Sequence, residues 1–436
     1  MSLQRSLESY LASCVSRAIR REKPLVVAVA GSVGKSSTKT AVGIALGALE
    51  AGSGVVMTEK NYNNELGVPL TVFGCSMPGR SPFKWMSLLM KATMTSLGIS
   101  KLRAKTFVLE LGTDHPGDLP KLMKMVEPTV GVLTAIGAEH TEYFGTVEAV
   151  AEEEGSVIRM LPEDGVAVVN GDDERVLHQS SSVEGKVVSF GLSEAATTRI
   201  LRADPIIDEE DPSKSGLEIT IARYGSRWQF RLAGTVGRPH AFAAAAAVSV
   251  VGALDQDDAH AIQRLKASYH GMAGRMRLLE GIKKTWLIDD TYNSSPLAAL
   301  SALRDLASFP VAEGGRRIAA MGDMLELGAL AQESHEEVGR AAAEAGIDML
   351  VLCGTLAHAT ARSAIAAGMS EDRVIVFPKS EDAGMFIQER LKQNDVVLIK
   401  GSQGIRMERV TKELMARPDL AETLLVRHTK DWLARP

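Results

Sequence analysis

Val26-Val27-Ala28-Val29-Ala30 runs directly into Gly31-Ser32-Val33-Gly34-Lys35-Ser36-Ser37-Thr38-Lys39. Small β-formers, a glycine-bearing turn and a helix-compatible run from Lys39 to Leu49 make the layout of a phosphate cradle. In such a cradle the N–H groups of the turn and of the helix N-terminus face the anion. Gly31, Ser32, Val33, Gly34, Lys35, Ser36 and Ser37 are therefore the expected phosphate-binding set. Lys35 would reach the terminal phosphates and the Ser36 hydroxyl would sit on a magnesium ion. The strict pattern G-x-x-x-x-G-K-[ST] is not met, because Val29 stands at its first glycine, but the shorter G-x-x-G-K-S is. A strand–turn–helix unit of this kind points to an α/β sheet and to binding of a nucleoside triphosphate.

At 436 residues the chain is too long for one core and is expected to fold as two or three domains. A net charge of −5 leaves no electrostatic footprint for nucleic acid. Cys14, Cys75 and Cys353 are too dispersed for a disulfide framework or a zinc site. With no signal peptide and no apolar run long enough to span a bilayer, the expected compartment is the cytoplasm.

Residues 1–23 read as an amphipathic helix, with Leu3, Leu7, Leu11, Val15 and Ile19 on one face and Arg17, Arg20, Arg21 and Lys23 near its end. Packing on its own domain is the expected role, a seat on a membrane surface the lesser alternative. The uncharged, amide-rich stretch Asn61-Tyr62-Asn63-Asn64 before Glu65-Leu66-Gly67 reads as a shaped loop. Pro82 to Ile99, rich in Met and Leu, is expected to be a buried helix rather than a lipid-facing one. The strand Thr106–Leu111 carries Glu110 near its end, and the strand Val130–Thr134 leads to His140; both lie where open α/β sheets hold ligands. An antiparallel hairpin is expected within residues 200–232, an Ala-rich helix over 241–251, and a hinge near Tyr269 to Gly274. A second parallel series then follows, with strands at 286–288, 318–321, 349–352 and 396–399. Polar clusters follow its strand ends: Asp289-Asp290-Thr291-Tyr292-Asn293, then Gly322-Asp323-Met324-Leu325-Glu326 with His335 beyond, and Lys400-Gly401-Ser402. Each has a structural alternative (Asp289 as an N-cap, Lys400 as a solvated cation, His335 as a helix-face residue), but on one sheet edge they converge on one crevice.

The ordered set G-S-V-G-K-S-S-T-K, N-Y-N-N-E-L-G-V-P-L, E-L-G, E-H-T-E-Y-F-G, N-G-D-D, G-R-M, D-D-T-Y-N-S-S-P, G-D-M-L-E-L-G and K-G-S resembles the Mur ligases over roughly residues 25–412. The resemblance implies an N-terminal helix (1–24), a central ATP-binding domain (25–270) and a Rossmann-like, doubly wound C-terminal domain (271–436). It implies an ATP- and Mg²⁺-dependent ligase of cell-wall synthesis: ATP phosphorylates an acceptor carboxylate, and the amine of an amino acid or dipeptide attacks the acyl phosphate. Lys35, Glu110, His140, Glu154, Arg275, His335 and Lys400 would form the catalytic set. Ser36, Glu110, His140 and Glu154 would serve the metal. Asn64, Arg275, Asp290, Tyr292 and Asn293 would contact nucleotide, and Asp323, Glu326, His335, Lys400 and Ser402 would receive the amine.

This sequence departs from the family pattern in three places. About 24 residues precede the first strand, below the ~50 of a usual domain, where the family places a UDP-sugar-binding domain. A smaller, lipid-linked or differently held carboxylate is then open. The family's carbamylated lysine should fall in A-x-x-K-G, where Ala151-Glu152-Glu153-Glu154-Gly155 stands, so Glu154 would reach the metal through a water. The adenine-contacting asparagine is missing after Gly237-Arg238-Pro239-His240-Ala241-Phe242. A polyglutamate- or cyanophycin-type ligase and a catalytically silent nucleotide-binding partner stay open as alternatives.

Overall fold

The computed structural model describes residues 3–59, 62–429 and 432, so Asn61 lies outside the described residues. The helix α1 (Leu3–Glu22) leads into β1 (Leu25–Ala30). Val26 to Ala30 are all fully buried, because β1 lies inside a parallel sheet covered on both faces. Around it stand β2 (Val55–Met57), β3 (Thr106–Glu110), β4 (Val130–Leu133), β5 (Val166–Asn170), β6 (Lys186–Gly191), β7 (Thr198–Ile206), β8 (Gly216–Arg223) and β9 (Ser226–Ala233). Their order is β2-β3-β1-β4-β5-β6-β7-β8-β9, parallel as far as β7 and antiparallel from β7 to β9. The hairpin foreseen from alternation is β8–β9, turning at Gly225 with φ 83°. It extends the same sheet through β7, a strand the sequence pattern did not single out.

The second sheet contains β10 (Arg277–Gly281), β11 (Thr285–Asp290), β12 (Arg317–Gly322), β13 (Met349–Cys353), β14 (Val374–Phe377) and β15 (Val396–Lys400). The order is β10-β11-β15-β12-β13-β14, with β10 alone antiparallel. Because β15 pairs with both β11 and β12, the C-terminal ends of these three strands open on one crevice.

Each sheet has a hydrophobic cluster on both faces. Helix α2 (Lys35–Ala45) packs against the Ala-rich helix Arg238–Ala253, whose methyl side chains permit close approach. Leu11, Val15 and Ile19 of α1 are buried in the first sheet's core, so that helix packs on its own domain. The helix Pro82–Ser96 corrects the sequence expectation: only Leu88, Ala92 and Thr95 are buried, and its remaining face is open. Among the described residues no helix is long and apolar enough to cross a membrane.

Candidate active site

The turn after β1 holds Gly31 at φ 125° and Gly34 at φ 95°, the latter capping α2 from the left-handed region. At Gly31 an added Cβ would stand 2.3 Å from Thr134 Oγ1, so both conformation and space require glycine there. The turn is tied to the next strand end: Ser32 N–H donates to Ala135 O at 2.6 Å, Gly137 N–H donates to Ser32 Oγ at 3.0 Å, and Thr134 Oγ1 donates to Val33 O at 2.8 Å. Lys35 Nζ lies 3.4 Å from Glu139 Oε2 and 3.9 Å from Glu154 Oε1. Burial works against its ammonium, but Glu139, Glu154 and Glu110 outweigh it and raise its pKa. The lysine is a fixed cation at the loop.

The carboxylates beside the loop have different partners. Glu110 Oε1 accepts from Ser36 Oγ at 3.1 Å and from Asn63 Nδ2 at 3.4 Å, while its buried Oε2 has no partner. A buried carboxylate oxygen left open beside a serine hydroxyl is a hard-oxygen donor set of the kind Mg²⁺ takes, with phosphate and water completing its shell. Glu154 is buried, and its Oε2 accepts from Gly31 N–H at 2.6 Å. It braces the loop from behind and does not line the cleft. Burial raises its pKa against the pull of Lys35. His140 stands at the cleft with Nδ1 2.9 Å from Glu326 Oε2, an ion-pair distance outside hydrogen-bond alignment. Among the described residues no three acidic, imidazole or thiol side chains converge as a metal cage. Glu110, His140 and Glu154 are thus not gathered into the shared ligand set the sequence suggested. Asn64 lines the cleft, but its Oδ1 accepts from Gly67 N–H at 2.9 Å and is thereby tied to the first residue of the helix Gly67–Phe73.

The second half faces this loop across a cleft of about 610 Å³, bringing Arg275, Tyr292, Asn293, Glu326 and Ser402 opposite Lys35, Ser36 and Glu110. The Arg275 guanidinium stacks on the Tyr292 ring, 3.9 Å from its centroid. Asn293 Nδ2 donates to Glu139 Oε1 at 3.2 Å, so Glu139 joins Lys35 to the far wall. Glu139 escaped the sequence reading, although it adjoins His140 at a strand end. At the paired strand ends Asp290 and Lys400, Lys400 Nζ donates to Asp290 Oδ2 at 2.6 Å and to Asn293 O at 2.9 Å. Lys400 is therefore buried and shapes the Asp290–Asn293 turn; with Asp290 it lines a narrow cavity of about 60 Å³ beside the cleft. His240 also lines that cavity. Burial lowers its pKa to about 4, so its neutral ring donates from Nε2 to Arg275 O at 2.9 Å and accepts at Nδ1 from Tyr269 O–H at 2.8 Å. Sequence reading assigned His240 nothing, yet it pins the hinge that carries Arg275.

Two expected amine-side residues lie behind the crevice. His335 is buried; Met324 N–H donates to its Nε2 at 3.0 Å and its Nδ1 donates to Ala331 O at 2.7 Å. Asp323 is buried beneath the same turn and accepts from Leu356 N–H at 3.0 Å. Ser402 Oγ accepts from Leu325 N–H at 2.9 Å and holds that turn at the cleft edge, leaving Glu326 as the half-exposed carboxylate there.

Profiles of the Mur ligase middle domain and of the Mur ligase, glutamate ligase domain match residues 89–249 and 274–403. The UDP-N-acetylmuramoyl-tripeptide–D-alanyl-D-alanine ligase of Bacillus subtilis (strain 168) is 28% identical over 418 residues, covering 96% of this chain and 80% of that protein. The Escherichia coli (strain K12) ligase of the same name is 27% identical over 409 residues, covering 91% and 78%. A solved structure of MurF ligase from Thermotoga maritima in complex with ADP superposes with a TM-score of 0.74 at 25% identity, covering 93% of this chain and 83% of that one. A phosphate loop on one sheet faces a polar crevice on a second, and most strands of the first sheet and all of the second lie within the matches to consecutive domains of one family; the chain belongs to the Mur ligases and is an ATP- and Mg²⁺-dependent ligase of that type.

Proposed function

We propose that this ligase joins D-alanyl-D-alanine to the free carboxylate of UDP-N-acetylmuramoyl-tripeptide, the substrates in the names of its B. subtilis and E. coli relatives. The observation that carries the reading is the single cleft in which Lys35, Ser36 and the open Glu110 oxygen face Arg275 and Glu326. Lys35 and the N–H groups at the start of α2 hold the ATP phosphates. Arg275, stacked on Tyr292, brings a second cation from the opposite wall to the charge that builds during phosphoryl transfer. Glu110 and Ser36 would hold Mg²⁺, which supplies charge neutralisation on the phosphate oxygens.

The acceptor carboxylate oxygen bonds to the γ-phosphorus and ADP departs, leaving an acyl phosphate. The dipeptide amine then bonds to the acyl carbon, loses a proton, and phosphate leaves as the amide forms. Glu326, at the cleft beside His140, is placed to receive the ammonium before attack. Ser402, Asp323 and His335 support that turn from behind. We place the reaction in the cytoplasm, where ATP is supplied.

The test is phosphate release from ATP with UDP-N-acetylmuramoyl-tripeptide and D-alanyl-D-alanine together. The expected result is release that needs both substrates and falls about 10²–10³-fold in Lys35→Ala, the cost of removing one transition-state donor. No release with any acceptor and amine would overturn the reading in favour of a silent nucleotide binder. Release only with glutamate and a glutamyl acceptor would replace it by a polyglutamate ligase.

A further inference from the structure

The open face of the helix Pro82–Ser96 is continuous and apolar. Phe83, Met86, Met90 and Met94 recur at three- and four-residue spacing, and Leu97 and Ile99 continue the stripe past the helix end. Phe83 is 77% exposed, Ile99 67% and Leu97 64%, values far outside those of a core helix. Between Glu65 and Glu110 the sequence has no acidic residue, whereas Arg80, Lys84, Lys91, Lys101, Arg103 and Lys105 all fall there and are exposed. The chain as a whole is acidic, so this cationic, apolar stretch is a local exception.

The helix is held rigidly on its other side. Leu88 and Ala92 enter the core, Tyr10 and Thr93 share a 2.6 Å hydrogen bond, and Arg21 donates to the carbonyls of Thr95 and Ser96 at 2.6 and 3.0 Å. Its outward face is therefore presented as a fixed ridge rather than a mobile flap.

We propose that this ridge seats the protein on the surface of a bilayer containing anionic phospholipid. Phe83, Met86, Met90 and Leu97 would enter the headgroup–acyl boundary, while Lys84 and Lys91 extend to lipid phosphates. Charge complementarity selects this occupant over a second copy of the chain. A two-fold self-contact would bring the same lysine-bearing ridge against itself, with Lys84 and Lys91 facing like charges. None of the ridge residues lines the catalytic cleft, so the surface is separate from the chemistry.

The test is cosedimentation of the full chain with phosphatidylcholine vesicles, with and without added phosphatidylglycerol, alongside Phe83→Glu/Met90→Glu and Lys84→Glu/Lys91→Glu. Unchanged melting temperature and ligase turnover would certify the fold of each variant. The expected result is pelleting with phosphatidylglycerol vesicles only, weakened by salt and lowered about tenfold or more in both pairs. Failure to pellet with either vesicle would overturn the proposal. So would pelleting that survives both pairs of substitutions. A concentration-dependent dimer that these substitutions abolish, without vesicle binding, would assign the ridge to a protein partner. The lysine pair decides the matter should the apolar pair fail to fold.

Discussion

Glu110 and Glu154 are both buried carboxylates beside the phosphate loop, and their hydrogen bonds separate their tasks. Glu154 has Oε2 on Gly31 N–H, with Lys35 3.9 Å from Oε1; Glu110 keeps Oε2 free beside Ser36. Substituting Gln at each site should therefore give different signatures. Glu110→Gln removes the charge that faces the cation, and loss of a charged contact costs about 1.5–3 kcal/mol. The Mg²⁺ concentration for half-maximal turnover should rise about tenfold or more, that energy expressed as affinity. Glu154→Gln retains an oxygen for Gly31 N–H and removes the charge near Lys35. It should leave the Mg²⁺ requirement within about twofold and weaken ATP binding instead, because the lysine loses a partner that fixes its position. Titration of Mg²⁺ and of ATP in each variant checks this. A steep rise in the Mg²⁺ requirement for Glu154→Gln would restore that residue to the metal.

At the level of the element, the phosphate loop works because Gly31 occupies a place no other residue fits. Gly31→Ala combines φ 125° with a Cβ 2.3 Å from Thr134 Oγ1, and such backbone strain costs about 1–3 kcal/mol before any clash is relieved. The expected outcome is a lower melting temperature and a smaller ATP-induced rise in it; a full ATP-induced rise would show that the loop tolerates the shift. This loop was legible in the sequence because its glycines, lysine and serine sit at fixed spacing between a strand and a helix. The central strands were legible too, since burial on both faces leaves an unbroken apolar run. Strands β7, β10 and β14 were not: they lie at sheet edges or beside the hairpin, are partly exposed, and lack that run. The helix Pro82–Ser96 was misread for a related reason. Met and Leu mark an apolar face, but composition does not say whether protein covers it. His335 and Lys400 show the same limit within the site. Motif position placed Lys400 at its strand end and His335 beyond another, yet only packing reveals that backbone groups and Asp290 already occupy their polar atoms.

Across the whole molecule the two sheets meet along a seam with polar contacts on both sides of the cleft. Asn293 reaches Glu139, Thr141 Oγ1 donates to Leu327 O at 3.2 Å, and Asp305 accepts from Arg238 N–H at 3.2 and 3.3 Å. Asp305 belongs to the helix Pro296–Ser308 of the second half and caps the Ala-rich helix of the first. Burial raises its pKa from 3.8 to about 7, against the opposing pull of the Arg238 N–H. A carboxyl group with a raised folded-state pKa contributes stability that is complete below its unfolded value and is lost as pH climbs through the folded value. Wild-type stability should accordingly decline from this group between pH about 4 and about 7. Asp305→Asn keeps an oxygen for Arg238 N–H and cannot ionise. Asp289, raised by burial to about 6, contributes in both proteins and cancels in their difference. Urea unfolding of the two proteins, compared at successive pH values from 5 to 8, should show the variant gaining on the wild type as pH rises, by up to a few kcal/mol, at ~1.4 kcal/mol per unit of pKa. A difference that stays flat over that range would mean that Asp305 remains ionised in the fold and that the seam is held by the other contacts.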